Sequence, residues 1–149
     1  MPDTPRDTTA RRGSRSKARK KALDLLFEAE QRGVNARELV DQRVEVPTTQ
    51  APLPDYTVQI VRGVVDHWGA INDALQTYST SDWPPERMPA VDRSLLRAAT
   101  WELVWAEGVD APVVISEAVK LAQELSTDSS PKFVNGLLDK IAAVKQSLA

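Results

Sequence analysis

Two groups of residues in this chain are of types that act on a polyanion. The first is residues 11–21, RRGSRSKARKK, a basic run that passes without punctuation into the apolar-periodic segment ALDLLFEAE. Positive side chains oppose the positive end of a helix dipole, by roughly 0.3–1 kcal/mol each when exposed. A helix that begins this way is disfavoured unless an anion lies beside it. The second is residues 126–140, STDSSPKFVNGLLDK, where Lys132 and Phe133 fall at the first turn of a helix. Free N–H groups at a helix start favour phosphate, and an exposed aromatic ring can stack a base. Asn135 can read base edges, and Gly136 permits a close backbone approach. On residue types alone Phe133 and Gly136 read more simply as packing positions and Lys132 as a solvated cation.

Nothing comparable points to catalysis. The chain has no cysteine and one histidine, His67, which removes thiolate or multi-histidine metal sites and cysteine nucleophiles. His67 lies in an apolar-periodic segment beside Trp68 and reads as structural or surface. No GxxxxGK[ST] or GxGxxG loop is present. The acidic pairs Glu117/Glu124 and Asp92/Glu102 are not spaced i, i+3 or i+4 and read as solvated faces. The expectation is a protein that is not an enzyme, with no cofactor and no metal. Trp68, Trp101 and Trp105 fall at or near core positions. Trp83, in the connector SDWPPERMP, either locks that loop onto the core, the simpler reading, or is available to a ligand.

The 149 residues suit one domain with a proper core. The overall charge of −2 conceals an asymmetry: residues 1–21 hold eight Lys/Arg against Asp3 and Asp7, while the remainder is acidic. A basic arm for a polyanion on a body able to receive a basic protein is the corresponding reading. No run approaches the ~18 apolar residues of a membrane span, and no secretory signal is evident. The expected setting is the cytoplasm, without a membrane partner.

The elements that must position these residues are helical. Residues 1–14 lack apolar periodicity and read as a flexible basic arm. Ser14 or Ser16 can cap the helix that carries Ala22, Leu25, Leu26 and Ala29 on one face. Asn35 can cap a short helix over 36–43, and the proline-rich residues 46–54 form a loop. Asp55 can cap a long segment to about residue 78, in which Gly63 and Gly69 imply a close helix contact or a break. After a second proline-rich connector, residues 79–89, come helices starting near residues 90 and 113. The last begins at Ser130-Pro131, which suit an N-cap and a first helical position. The fold class is all-α, about six or seven helices, within one domain over 15–149. Subdomains near 15–80 and 85–147 are each too small to stand alone.

The order and spacing of RRGSRSKARKKALDLLFEAE, MPAVDRSLLRAATWEL and PVVISEAVKLAQELSTDSSPKFVNGLLDK resemble the bacterial transcription antitermination factor family NusB, from about residue 15 to residue 141. FVNGLLD and the segment before it are the most specific part. The resemblance implies an all-helical NusB-like fold of two packed three-helix-type subdomains. It further implies binding of single-stranded boxA RNA in nascent ribosomal RNA transcripts, together with NusE, a ribosomal small-subunit protein, within the RNA polymerase antitermination complex. It assigns the arginine-rich motif to Arg15, Lys17, Arg19 and Lys20, with Arg11 and Arg12 as supplements. Lys132, Phe133 and Asn135 form a second RNA-facing group. Phe27 and Asp92 are placed on the NusE-facing surface. Relatives include both monomers and dimers, so a homodimer is also compatible.

This sequence departs from the family pattern at Ser16, where arginine is frequent, and at Ser129, where an acidic residue is common. The first thins the basic motif; the second removes a charge that would repel RNA. Two other readings fit the residues: a detached RNA-binding module of the kind found in ribosomal RNA methyltransferases, and a helical protein-interaction adaptor with an incidental basic tail.

Overall fold

Apolar residues recur at helical spacing along most of the chain, and the elements they form are helices joined by turns rich in proline and glycine. The computed structural model describes residues 5–49 and 51–149, with side chains described from residue 13 onward. The described residues form eight α-helices: α1 (Pro5–Arg32), α2 (Ala36–Glu45), α3 (Asp55–Asp66), α4 (Trp68–Tyr78), α5 (Ala90–Trp105), α6 (Ala111–Leu125), α7 (Ser130–Ala143) and α8 (Lys145–Leu148). A 3₁₀ turn over Pro85–Arg87 lies in the connector before α5. Among the described residues there is no strand, and no helix is long and apolar enough to cross a membrane.

Helix α5 packs against α1, α3, α4, α6 and α7. One apolar cluster runs through all of these contacts, from Leu26 and Val40 to Ile60, Leu75, Leu96, Val114 and Leu138. Each such aliphatic side chain, fully buried, contributes roughly 1.5–3 kcal/mol. Both halves expected from the sequence therefore share a single core.

Several boundaries differ from the sequence reading. Helix α1 starts at Pro5, inside the segment read as a flexible arm, and proline suits a first helical turn. Ser14 and Ser16 consequently lie within α1 and cap nothing. Asn35 does cap α2, accepting from the N–H groups of Arg37 (2.8 Å) and Glu38 (3.3 Å). Asp55 is the first residue of α3 and makes no capping bond; Pro54 occupies the cap position. The segment 55–78 divides at His67, not at a glycine, which raises the helix count. The His67 ring stacks on Trp105, centroids 4.1 Å apart and planes 12° from parallel.

Gly63 has the other role weighed for it. A Cβ there would lie 2.0 Å from Trp101 Nε1, so only glycine lets α3 approach α5 this closely. Trp68 is not in the core: it is 44% exposed, with the Arg97 guanidinium 4.4 Å from its ring centroid. Arg97 itself is anchored on Glu30 and Asn72.

Candidate nucleic-acid interface

The apolar stripe of α1 faces the core, and the residues of the basic run divide according to which side of that stripe they occupy. Lys17 and Lys20 are exposed on the outer face. Arg15 is half-buried at the rim: its guanidinium carbon sits 4.8 Å from the Tyr56 ring centroid, and Nη1 donates to the Gly108 carbonyl at 3.4 Å. Arg12 lies outside the residues whose side chains are described.

Arg19 is not on this face. It is 6% exposed, and its Nε donates to both carboxylate oxygens of Glu102, at 3.0 and 2.9 Å. Glu117 stands 3.7 Å from Nη1, and Tyr56 donates its hydroxyl to Glu102 at 2.5 Å. Burial alone would lower the Arg19 pKa, but the Glu102 carboxylate more than offsets this and the net direction is upward. The same pair of causes, burial first and the Glu102 charge second, pushes the Tyr56 hydroxyl well above its ordinary value. Ser16 donates to Glu117, which ties the next turn of α1 to α6. Arg19 thus anchors the basic helix in the core. Helical spacing puts Arg19 near the apolar stripe, about 200° round from Lys17, but the carboxylate that buries it, Glu102, is 83 residues away in sequence.

The second group is likewise only partly brought together. Lys132 is exposed, and Phe133 is half-buried with its ring nearly perpendicular to that of Trp83, centroids 4.7 Å apart at 80°. Both line a cleft of about 580 Å³ between the connector and α7. Asn135, two residues on and so about 200° round the helix, faces a different groove, between α6 and α7, with Ile115, Val119 and Asp139. Lys140 also lines the Phe133 cleft. Its i+8 spacing from Lys132 is a helical-face signal present in the sequence itself. Trp83 packs on Phe133 as expected of a loop lock, and it remains part of the cleft wall.

The two residues expected on a protein-binding surface also separate. Phe27 is half-buried on α1. Asp92 is 0% exposed: it accepts from Ser130 Oγ at 2.7 Å and from Ser126 Oγ at 2.5 Å. It therefore cannot present a carboxylate at the surface; it staples the 126–130 loop onto α5. Ser130 accordingly is buried as the first residue of α7, and Ser129 occupies the cap position without a side-chain cap. Glu102 is buried as well, at 2% exposure, so neither member of the Asp92/Glu102 pair is solvated.

A family model described as the NusB family matches residues 16–143. This chain belongs to the NusB family. The transcription antitermination protein NusB of Kineococcus radiotolerans is 51% identical over 136 residues, covering 91% of this chain and 98% of that protein. The NusB of Thermobifida fusca is 45% identical over 139 residues, covering 93% and 96%. Among solved structures, T. maritima NusB superposes with a TM-score of 0.74 at 30% identity, over 87% of this chain and 90% of that one. A crystal structure of the antitermination factors NusB and NusE in complex with dsRNA gives a TM-score of 0.75 at 26% identity, over 88% of this chain and 97% of that one. The all-helical NusB fold expected from the motifs is the fold observed.

Proposed function

We propose that this protein is an RNA-binding transcription antitermination factor. It binds boxA of nascent ribosomal RNA transcripts with NusE and acts in the cytoplasm on the RNA polymerase complex, without catalysing a reaction. The observation that carries this reading is the likeness, across nearly the whole chain, to a NusB found with NusE and RNA. The exposed cations Lys17 and Lys20, presented by a helix anchored in the core, supply a phosphate-binding face. Lys132 and Phe133 supply a second contact able to stack a base. Phosphate contacts set register and affinity; base contacts must supply sequence choice.

A salt-titrated binding isotherm tests the reading, using boxA and scrambled single strands of equal length and a duplex, each with and without NusE. Preferential boxA binding strengthened by NusE is the expected result. Each phosphate contact on a single strand adds about −0.7 to the slope of log K against log salt. Equal binding to boxA and scrambled RNA would overturn the assignment and leave only a basic surface.

A further inference from the structure

We propose that the cleft between the connector and α7 holds one unstacked nucleobase of the bound RNA, with Trp83 as its stacking residue and Lys140 on a flanking phosphate. This rests on the RNA-binding reading above and adds to it a defined subsite. Trp83 and Phe133 meet at nearly a right angle, so they form a corner instead of filling the space with a closed stack. Tyr78 lines the same cleft, whose volume of about 580 Å³ lies within the roughly 300–1,000 Å³ typical of small-ligand pockets.

The α7 wall is a strip at i, i+4 and i+8. Lys132 and Lys140 are exposed at its ends. Between them Gly136 leaves open space, since a Cβ built there meets no heavy atom within 4 Å. Aromatic walls with cations at either end of a gap match a base and its flanking phosphates. Asp82 on the rim accepts hydrogen bonds and suits a base edge bearing an amino group.

The opposite wall is built before any ligand arrives. Arg93 donates to the carbonyls of Pro85 (3.0 Å) and Met88 (2.8 Å) while Glu30 holds its Nε at 2.9 Å. The connector carrying Trp83 is thereby tied to α1 and α5. A preformed platform loses little freedom on binding.

The test uses the full chain and single-stranded boxA RNA carrying 2-aminopurine at successive positions. One position should change fluorescence on binding, and that change should disappear in Trp83→Leu. Trp83→Leu should weaken binding by about 5- to 150-fold, the range for loss of one stacked base, while Trp83→Phe retains most of the affinity. Gly136→Leu fills the cleft and should weaken binding with the thermal midpoint unchanged or higher, because leucine is the better helix former. Lys140→Gln should reduce the salt slope by about 0.7. If the parent prefers boxA but Gly136→Leu and Trp83→Leu bind RNA as it does, the subsite is wrong and the RNA-binding reading stands. If those variants lose only NusE capture, the cleft is a protein site and the proposal fails. If the parent shows no boxA preference, both fall.

Discussion

Arg19 and Glu102 lock α1 to α5 from within: the arginine's Nε reaches both oxygens of a carboxylate on the facing helix, and both side chains are buried. A residue from the basic run is thus part of the core, and its substitutions should behave differently from those of its neighbours. Breaking a buried pair by removing one partner leaves an uncompensated charge and costs about 3–5 kcal/mol. Arg19→Ala and Glu102→Ala should each lower stability by that order in urea titrations. Lys17→Ala and Lys20→Ala should leave stability within about 0.5 kcal/mol, and each should reduce the RNA salt slope by about 0.7. Loss of salt slope without loss of stability in Arg19→Ala would contradict the buried anchor.

Tyr56 gives this anchor a pH dependence. Burial and the adjacent Glu102 raise the hydroxyl's pKa in the folded state, whereas an unfolded tyrosine ionises near pH 10. The unfolded chain therefore binds fewer protons than the native one above pH 10, and stability falls as pH rises. The contribution is fully present below pH 10. Denaturation midpoints across the alkaline range should decline less steeply in Tyr56→Phe, by up to about 1.4 kcal/mol per pH unit for one proton.

The glycines of α3 and α4 should respond in opposite directions. Alanine at Gly63 collides with the Trp101 indole, and overpacking of this kind costs roughly 1–3 kcal/mol. Alanine at Gly69 meets nothing within 4 Å and should gain about 0.5–1 kcal/mol from helix propensity. Thermal melts of the two variants compare them directly.

Asp92 should affect RNA binding only through the loop it holds. Asp92→Ala removes the buried acceptor shared by the Ser126 and Ser130 hydroxyls, which keep only each other and Thr127 as partners, a loss of about 1–3 kcal/mol in all. Hydrogen exchange should become faster over residues 126–133 specifically. Unchanged protection there, with reduced NusE binding, would instead return Asp92 to a contact role.

What was legible in the sequence follows its physics. Periodicity located the helices, and Asn35 was readable as a cap because its bonds are local. The break at His67 was not, because nothing in its side chain stops a helix; its ring is stacked against Trp105 on α5. Asp92 and Glu102 read as solvated because a charged residue reads as exposed until its partner is known, and these partners lie 34 to 83 residues away; Arg19 falls near the apolar stripe by spacing, and only the resemblance assigns it to RNA. Trp68 reads conversely, an apolar residue at core spacing that stands 44% exposed with a guanidinium over its ring. Phe133 and Asn135 are grouped by the family motif, though two residues along a helix point to nearly opposite sides.

The strip of α7 that runs from Lys132 through Gly136 to Lys140 has a consequence for inheritance. The empty position costs the helix roughly 1 kcal/mol relative to alanine, so selection for stability alone would fill it. A glycine kept there, against that pull, would record a demand made by something other than the fold.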